Sequence, residues 1–144
     1  MATVLGTVAT AVAAGGLSNK QLSGLIDGRV KANIDTYVAV GTEASGTVIK
    51  VGSVLATGAN VIAVLVVGSA ASAALTVSVG DGGSGTRYVS ASTAFQSAAA
   101  SLLAALGAGY IVTGSGGDGQ IQLTTGGATL AAITLTVITL YTLD

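Results

Sequence analysis

Residues 79–95 read VGDGGSGTRYVSASTAF. Gly80, Gly82 and Gly85 satisfy G-x-G-x-x-G, the spacing that lets backbone N–H groups close on a pyrophosphate. Asp81 and Arg87 lie beside the glycines and would bring charge of both signs. A dinucleotide loop of this kind follows a strand and opens a helix, whose N-terminus holds the phosphates. The strand-like run Leu75–Val79 precedes it, but Thr86-Arg87-Tyr88-Val89 reads as another strand. The acid required ~20 positions later is missing; the next after Asp81 is Asp118. No Gly-Lys pair exists either, which excludes the phosphate loop G-x-x-x-x-G-K-[ST]. The stretch therefore reads as a hairpin turn, with Asp81 bonding its own backbone. Asp81 and Arg87 are expected to fasten that turn.

The remaining chemistry candidates are thin. GSGGDGQIQL at 114–123 has a distant likeness to a calcium-binding nonapeptide, yet it occurs once and reads first as a turn. EF-hand spacing is absent. With no His and no Cys, zinc sites and Ser-His or Cys-His nucleophile pairs are unavailable. Asp27, Asp35, Glu43, Asp81, Asp118 and Asp144 are scattered, and no two are singled out as the carboxylate pair of a glycoside hydrolase. A β-rich hydrolase stays open on those acids alone; the expectation is a protein that is not an enzyme and uses no metal or cofactor. Tyr37, Tyr88, Tyr110 and Tyr141 all fall in strand-like runs, where packing is the default role of an aromatic ring.

The elements around these residues are mostly strands. Thr36–Val40, Thr47–Val51, Asn60–Val67, Leu75–Val79, Thr86–Ser90, Tyr110–Thr113, Gln120–Thr124 and Ile133–Thr142 are rich in Val, Ile, Thr and Tyr. Leu75-Thr76-Val77-Ser78-Val79 and Ile133-Thr134-Leu135-Thr136-Val137 alternate with period two, which makes one apolar and one polar face. Gly-rich punctuators separate the runs. The pattern predicts a mainly β protein, an antiparallel β-sandwich or jelly-roll-like body over 35–144. An Ala-rich stretch, Phe95–Leu106, reads as a helix in which Leu102, Leu103 and Leu106 share a face. Residues 1–34 read as an N-terminal arm. In it Ser18-Asn19-Lys20-Gln21 fits a capping box, and a short helix is predicted over about 19–27.

Charge is the other constraint. Five basic and six acidic residues give a net charge of −1 and a charged fraction of only 8%, against about 25% in an ordinary chain. Neutrality of this kind points away from direct nucleic-acid contact. A folded monomer of this size exposes roughly 6,500 Å², most of it left to Ala, Val, Ser, Thr and Gly. Burial against other chains relieves that, so the composition is that of an assembly component. Lys20, Arg29 and Lys31 concentrate positive charge in the arm, as a solvated face or as contacts to an acidic neighbour. The uncharged run 61–79 approaches the ~20 residues of a membrane span, but two buried strands joined by a small-residue turn explain it better, and no membrane is expected.

Three segments together resemble tailed-bacteriophage virion proteins, the small β-rich chains described as head decoration, cement or minor structural proteins. They are GTVIKVGSVLATGANVIAVLVV at 46–67, LTVSVGDGGSGTRYVSASTAF at 75–95 and GGATLAAITLTVITLYTLD at 126–144. The likeness spans roughly residues 29–144; its most specific part is the strand ending Val-Gly-Asp, the Gly-rich turn and Arg-Tyr. Many such proteins carry Pro where this chain has Ala56-Thr57-Gly58, and this chain has no Pro at all. The resemblance implies a β-sandwich body and a place on the virion surface without fixing which surface; the leading expectation is a decoration (cement) protein on the capsid surface that binds the major capsid protein. With the composition, it leads us to expect self-association as a trimer or dimer, with the arm reaching across a neighbour. Related sandwiches also serve in tails and fibres, some with host-glycan binding, and that alternative stays open.

Overall fold

A computed structural model of the chain describes residues 30–69, 71–96, 98–104 and 109–143. The helix expected over about 19–27 lies outside them, as do Lys20 and Arg29. The described residues form nine strands: β1 (Lys31–Val38), β2 (Val48–Lys50), β3 (Asn60–Gly68), β4 (Thr76–Asp81), β5 (Val89–Ser92), β6 (Ala100–Ala104), β7 (Tyr110–Ile111), β8 (Ile121–Gly126) and β9 (Thr134–Thr142). No helix occurs among these residues.

The strands make two antiparallel sheets. One has the order β1-β9-β3-β6, with β7 also pairing β3, and the other runs β2-β8-β4-β5. The pairing is nested: β1 with β9, β2 with β8, β3 with β6, β4 with β5. A long hairpin curled over on itself sends alternate pairs to opposite sheets in this way. Each sheet is then closed at its centre by β9 on β3 and by β8 on β4.

Alternation supplies the core between the sheets. Leu135 and Val137 of β9, Val64 and Val66 of β3, Val77 and Val79 of β4, and Ile121 and Leu123 of β8 turn inward and form one apolar cluster with Phe95, Leu130 and Tyr88. In β3 the register shifts between Val61 and Ala63. This bulge reverses the parity, so Val61 is buried together with Val64 and Val66 while Ile62 is pushed out.

Two expectations are corrected. The Ala-rich stretch is not helical where it is described: Ala100–Ala104 is strand β6, pairing Val64–Gly68 of β3. Without β6 that half of β3 would present unpaired backbone groups, and pairing outweighs the modest helix propensity of Ala and Leu. Leu102 and Leu103 consequently lie on opposite faces: Leu102 packs on the core and Leu103 is exposed. The strand expected over Thr86–Ser90 begins only at Val89, because Ser84–Tyr88 are held in the turn that ends β4. The uncharged run 61–79 divides between β3 and β4, which belong to different sheets. No helix among the described residues is long and apolar enough to cross a membrane.

The core makes a graded prediction. Leu123 is fully buried between the sheets, whereas Val54 is 69% exposed. Leu123→Ala should lower the unfolding free energy by about 2–5 kcal/mol, and Val54→Ala should stay within about 0.5 kcal/mol of the parent. Urea denaturation read by circular dichroism measures both.

Candidate functional site

The turn that carries the glycine motif is built around a carboxylate. Asp81 ends β4 with no exposed surface. Its Oδ1 accepts hydrogen bonds from the backbone N–H of Gly83 (2.9 Å) and Ser84 (2.8 Å), and its Oδ2 accepts one from Nε of Arg87. Arg87 Nη2 also reaches Oδ1 at 3.3 Å. The glycines are required by close approach. A Cβ on Gly80 would collide with the Ser84 carbonyl, and one on Gly82 would stand 2.6 Å from the Gly117 oxygen. There is no helix N-terminus here and no open cradle of N–H groups.

Arg87 links this turn to a second one. Its guanidinium lies 3.7 Å from the centre of the Tyr110 ring, a cation–π contact. The Tyr110 hydroxyl donates to Oδ2 of Asp118 at 2.7 Å. Asp118, 1% exposed, also accepts from Thr113 Oγ1 (2.6 Å), Thr113 N–H (2.8 Å) and Gly114 N–H (3.0 Å). The Thr113 and Tyr110 hydroxyls hold its carboxyl well below the usual carboxylate range. Gly82 N–H donates to the Gly117 carbonyl at 3.2 Å and closes the junction. Every oxygen of both acids is engaged by protein donors, so the first part of GSGGDGQIQL is a loop folded on its own aspartate, and its Ile121-Gln122-Leu123 opens β8. Among the described residues, no group of three or more potential metal ligands exists.

Glu43 repeats the device between β1 and β2. Oε1 accepts from the Tyr37 hydroxyl (2.7 Å) and Val40 N–H (3.0 Å), and Oε2 from the N–H groups of Gly41 (3.0 Å) and Thr42 (3.1 Å). The Val40 N–H and the Tyr37 hydroxyl bring its carboxyl down to about 2. Asp35 on β1 accepts from Gly52 N–H at 2.7 Å and is lowered by that bond first. The four acids among the described residues therefore hold loops, and no two form an acid/base pair around a cleft. Of the arm's basic trio the structure describes only Lys31, which is exposed at the start of edge strand β1.

No protein-family model matches the chain, and no curated protein matches it. Among solved structures, a chain of the cyanophage Pam1 capsid asymmetric unit is 30% identical, with a TM-score of 0.69 over 81% of this chain and 86% of that one. This chain belongs to the phage capsid-associated proteins. A chain of the Ralstonia phage GP4 capsid shares the fold at 17% identity and a TM-score of 0.62, with the same coverage. The carboxylate-centred turns thus hold the loops of a capsid-associated protein in place.

Sequence reasoning overlooked the Glu43–Tyr37 and Asp118–Tyr110 pairs, which stand 6 and 8 residues apart. The signal was there: in each case a lone acid in a Gly-rich loop follows a strand Tyr. It also overlooked that Ile34, Val38 and Leu103 would stand exposed on the strands.

Two outcomes follow from this geometry. Gly82→Ala forces the two turns apart against backbone and should lower stability by about 1–3 kcal/mol, measured by denaturant unfolding. Glu43 and Asp118 have depressed folded-state values, so their stabilisation is complete above the unfolded carboxylate range of about 4. It is lost as pH falls through the folded values, about 2 for Glu43 and likewise depressed for Asp118. The melting temperature should hold between about pH 7 and 5 and fall steadily below about pH 4. Glu43→Gln should melt lower at neutral pH with a shallower acid slope; an unchanged slope contradicts this role.

Proposed function

We propose that this protein is a capsid decoration, or cement, protein that binds the outer capsid surface and stabilises contacts between major capsid proteins. The observation that carries the reading is the 30% identity, over most of both chains, to a chain of a phage capsid asymmetric unit. The strand order β1-β9-β3-β6 against β2-β8-β4-β5 agrees with it, being the nested order of a jelly roll, a fold frequent in capsid proteins. The role is structural and non-enzymatic, in keeping with the four carboxylates among the described residues being committed to loops.

The energetics suit such a role. A decoration protein acts through modest contacts repeated at every symmetry-related site, so stabilisation accumulates without a single strong site. In this reading the protein self-associates as a trimer or dimer. Lys31, with Lys20 and Arg29 before it, meets acidic shell surface. A host-glycan role in a tail or fibre has less support. Tyr88 is buried, and the Tyr37 and Tyr110 hydroxyls are engaged by Glu43 and Asp118. Little aromatic surface is left for a sugar.

Mixing the purified protein with undecorated capsids of its own phage tests the proposal. Saturable binding and a raised capsid disruption temperature are expected. Absence of binding by protein that is folded by circular dichroism rules the role out.

A further inference from the structure

The first sheet has an outer face that nothing described covers. Ile34 on β1, Ile138 on β9, Leu65 on β3 and Leu103 on β6 stand in one register row across these four of the sheet's five strands. Val67 and Leu140 extend the same face on either side of the row. Ile34 and Leu103 are 63% and 61% exposed. Strands β3, β6 and β9 contain no charged residue. The two charges of β1, Lys31 and Asp35, alternate to the side opposite Ile34, where Asp35 binds Gly52. The adjoining row carries hydroxyls, Thr36 and Thr136 in contact with each other among them, but no charge, and a charge-free aliphatic row with exposed ends marks a contact surface.

The chain itself carries a matching segment. Residues 1–19 contain no charge, and Val4, Leu5, Val8, Val12 and Leu17 are distributed along them. The chain enters this same sheet at Lys31, the first residue of its edge strand. Residues 20–29 reach at most about 33–36 Å extended, and still about 19 Å if 20–27 take the predicted helix. The row from β1 to β6 covers three strand spacings, about 15 Å. The segment can therefore reach the whole face of its own sheet. A short tether also gives an effective concentration of order mM, far above that of a second copy in dilute solution.

We propose that in the free protein residues 1–19 lie across the outer face of β1-β9-β3-β6 of their own chain, over the row Ile34–Ile138–Leu65–Leu103. The segment masks apolar surface until assembly and is then free to exchange onto a neighbour, as swapped elements do. The masking concerns the free protein, so it stands or falls separately from capsid binding.

The chain has no Cys, so Ala9→Cys provides one attachment point for a nitroxide label. In dilute full-length protein, the methyl signals of Ile34, Leu65, Leu103 and Ile138 should lose more intensity than those of Val48, on the other sheet. Uniform loss or no loss overturns the proposal. Loss seen only when spin-labelled chains are mixed with separate isotope-labelled chains also overturns it, in favour of a second copy as the occupant. Deleting residues 1–19 is the second measurement: hydrophobic-dye binding should rise several-fold, and unchanged binding contradicts the masking.

Discussion

One end of the body depends on keeping the Asp81 carboxylate paired. An ionised group removed from water is tolerated only when donors surround it. Gly83, Ser84 and Arg87 supply those donors, and supplying them shapes the turn after β4. Arg87, once placed, lies over Tyr110, and Tyr110 holds Asp118. The turn between β4 and β5 and the connection from β7 to β8 are thereby locked to one another. Glycines are needed where the two backbones meet, since Gly82 has no room for a Cβ against Gly117.

This use of charge explains the surface. The chain has eleven charged residues, and the acids among the described residues are turned toward loops. Apart from Lys31, Asp35 and Lys50, the exposed strand positions are left mostly with Thr, Ser, Ala, Val, Ile and Leu. Such a surface suits a protein that spends its working life against other chains, in keeping with its membership of the phage capsid-associated proteins. The same scarcity leaves the outer face of the first sheet free of charge, so the internal joints and that uncharged face have a common origin in composition.

Much of the fold was legible because alternation is a local signal. Leu75–Val79 and Ile133–Val137 announced strands and their buried faces directly. The second half of β9 was less readable: polarity lapses at Ile138 and Leu140, which lie on the outer face, while Thr139 is buried. Residues 100–104 misled because Ala and Leu favour helix locally, and only the open flank of β3, far away in sequence, makes them a strand. The glycine motif was readable as a turn once a strand replaced the expected helix after it. The partners of Asp118 and Glu43 were not, since which Tyr meets which acid depends on loop closure.

The central claim, a decoration role on the capsid exterior, is tested most directly by electron cryomicroscopy of the intact virion. Density fitting the two-sheet body on the outer shell, bridging neighbouring major capsid subunits, is the predicted result. Density for this chain only in the tail or on the inner shell surface would contradict it.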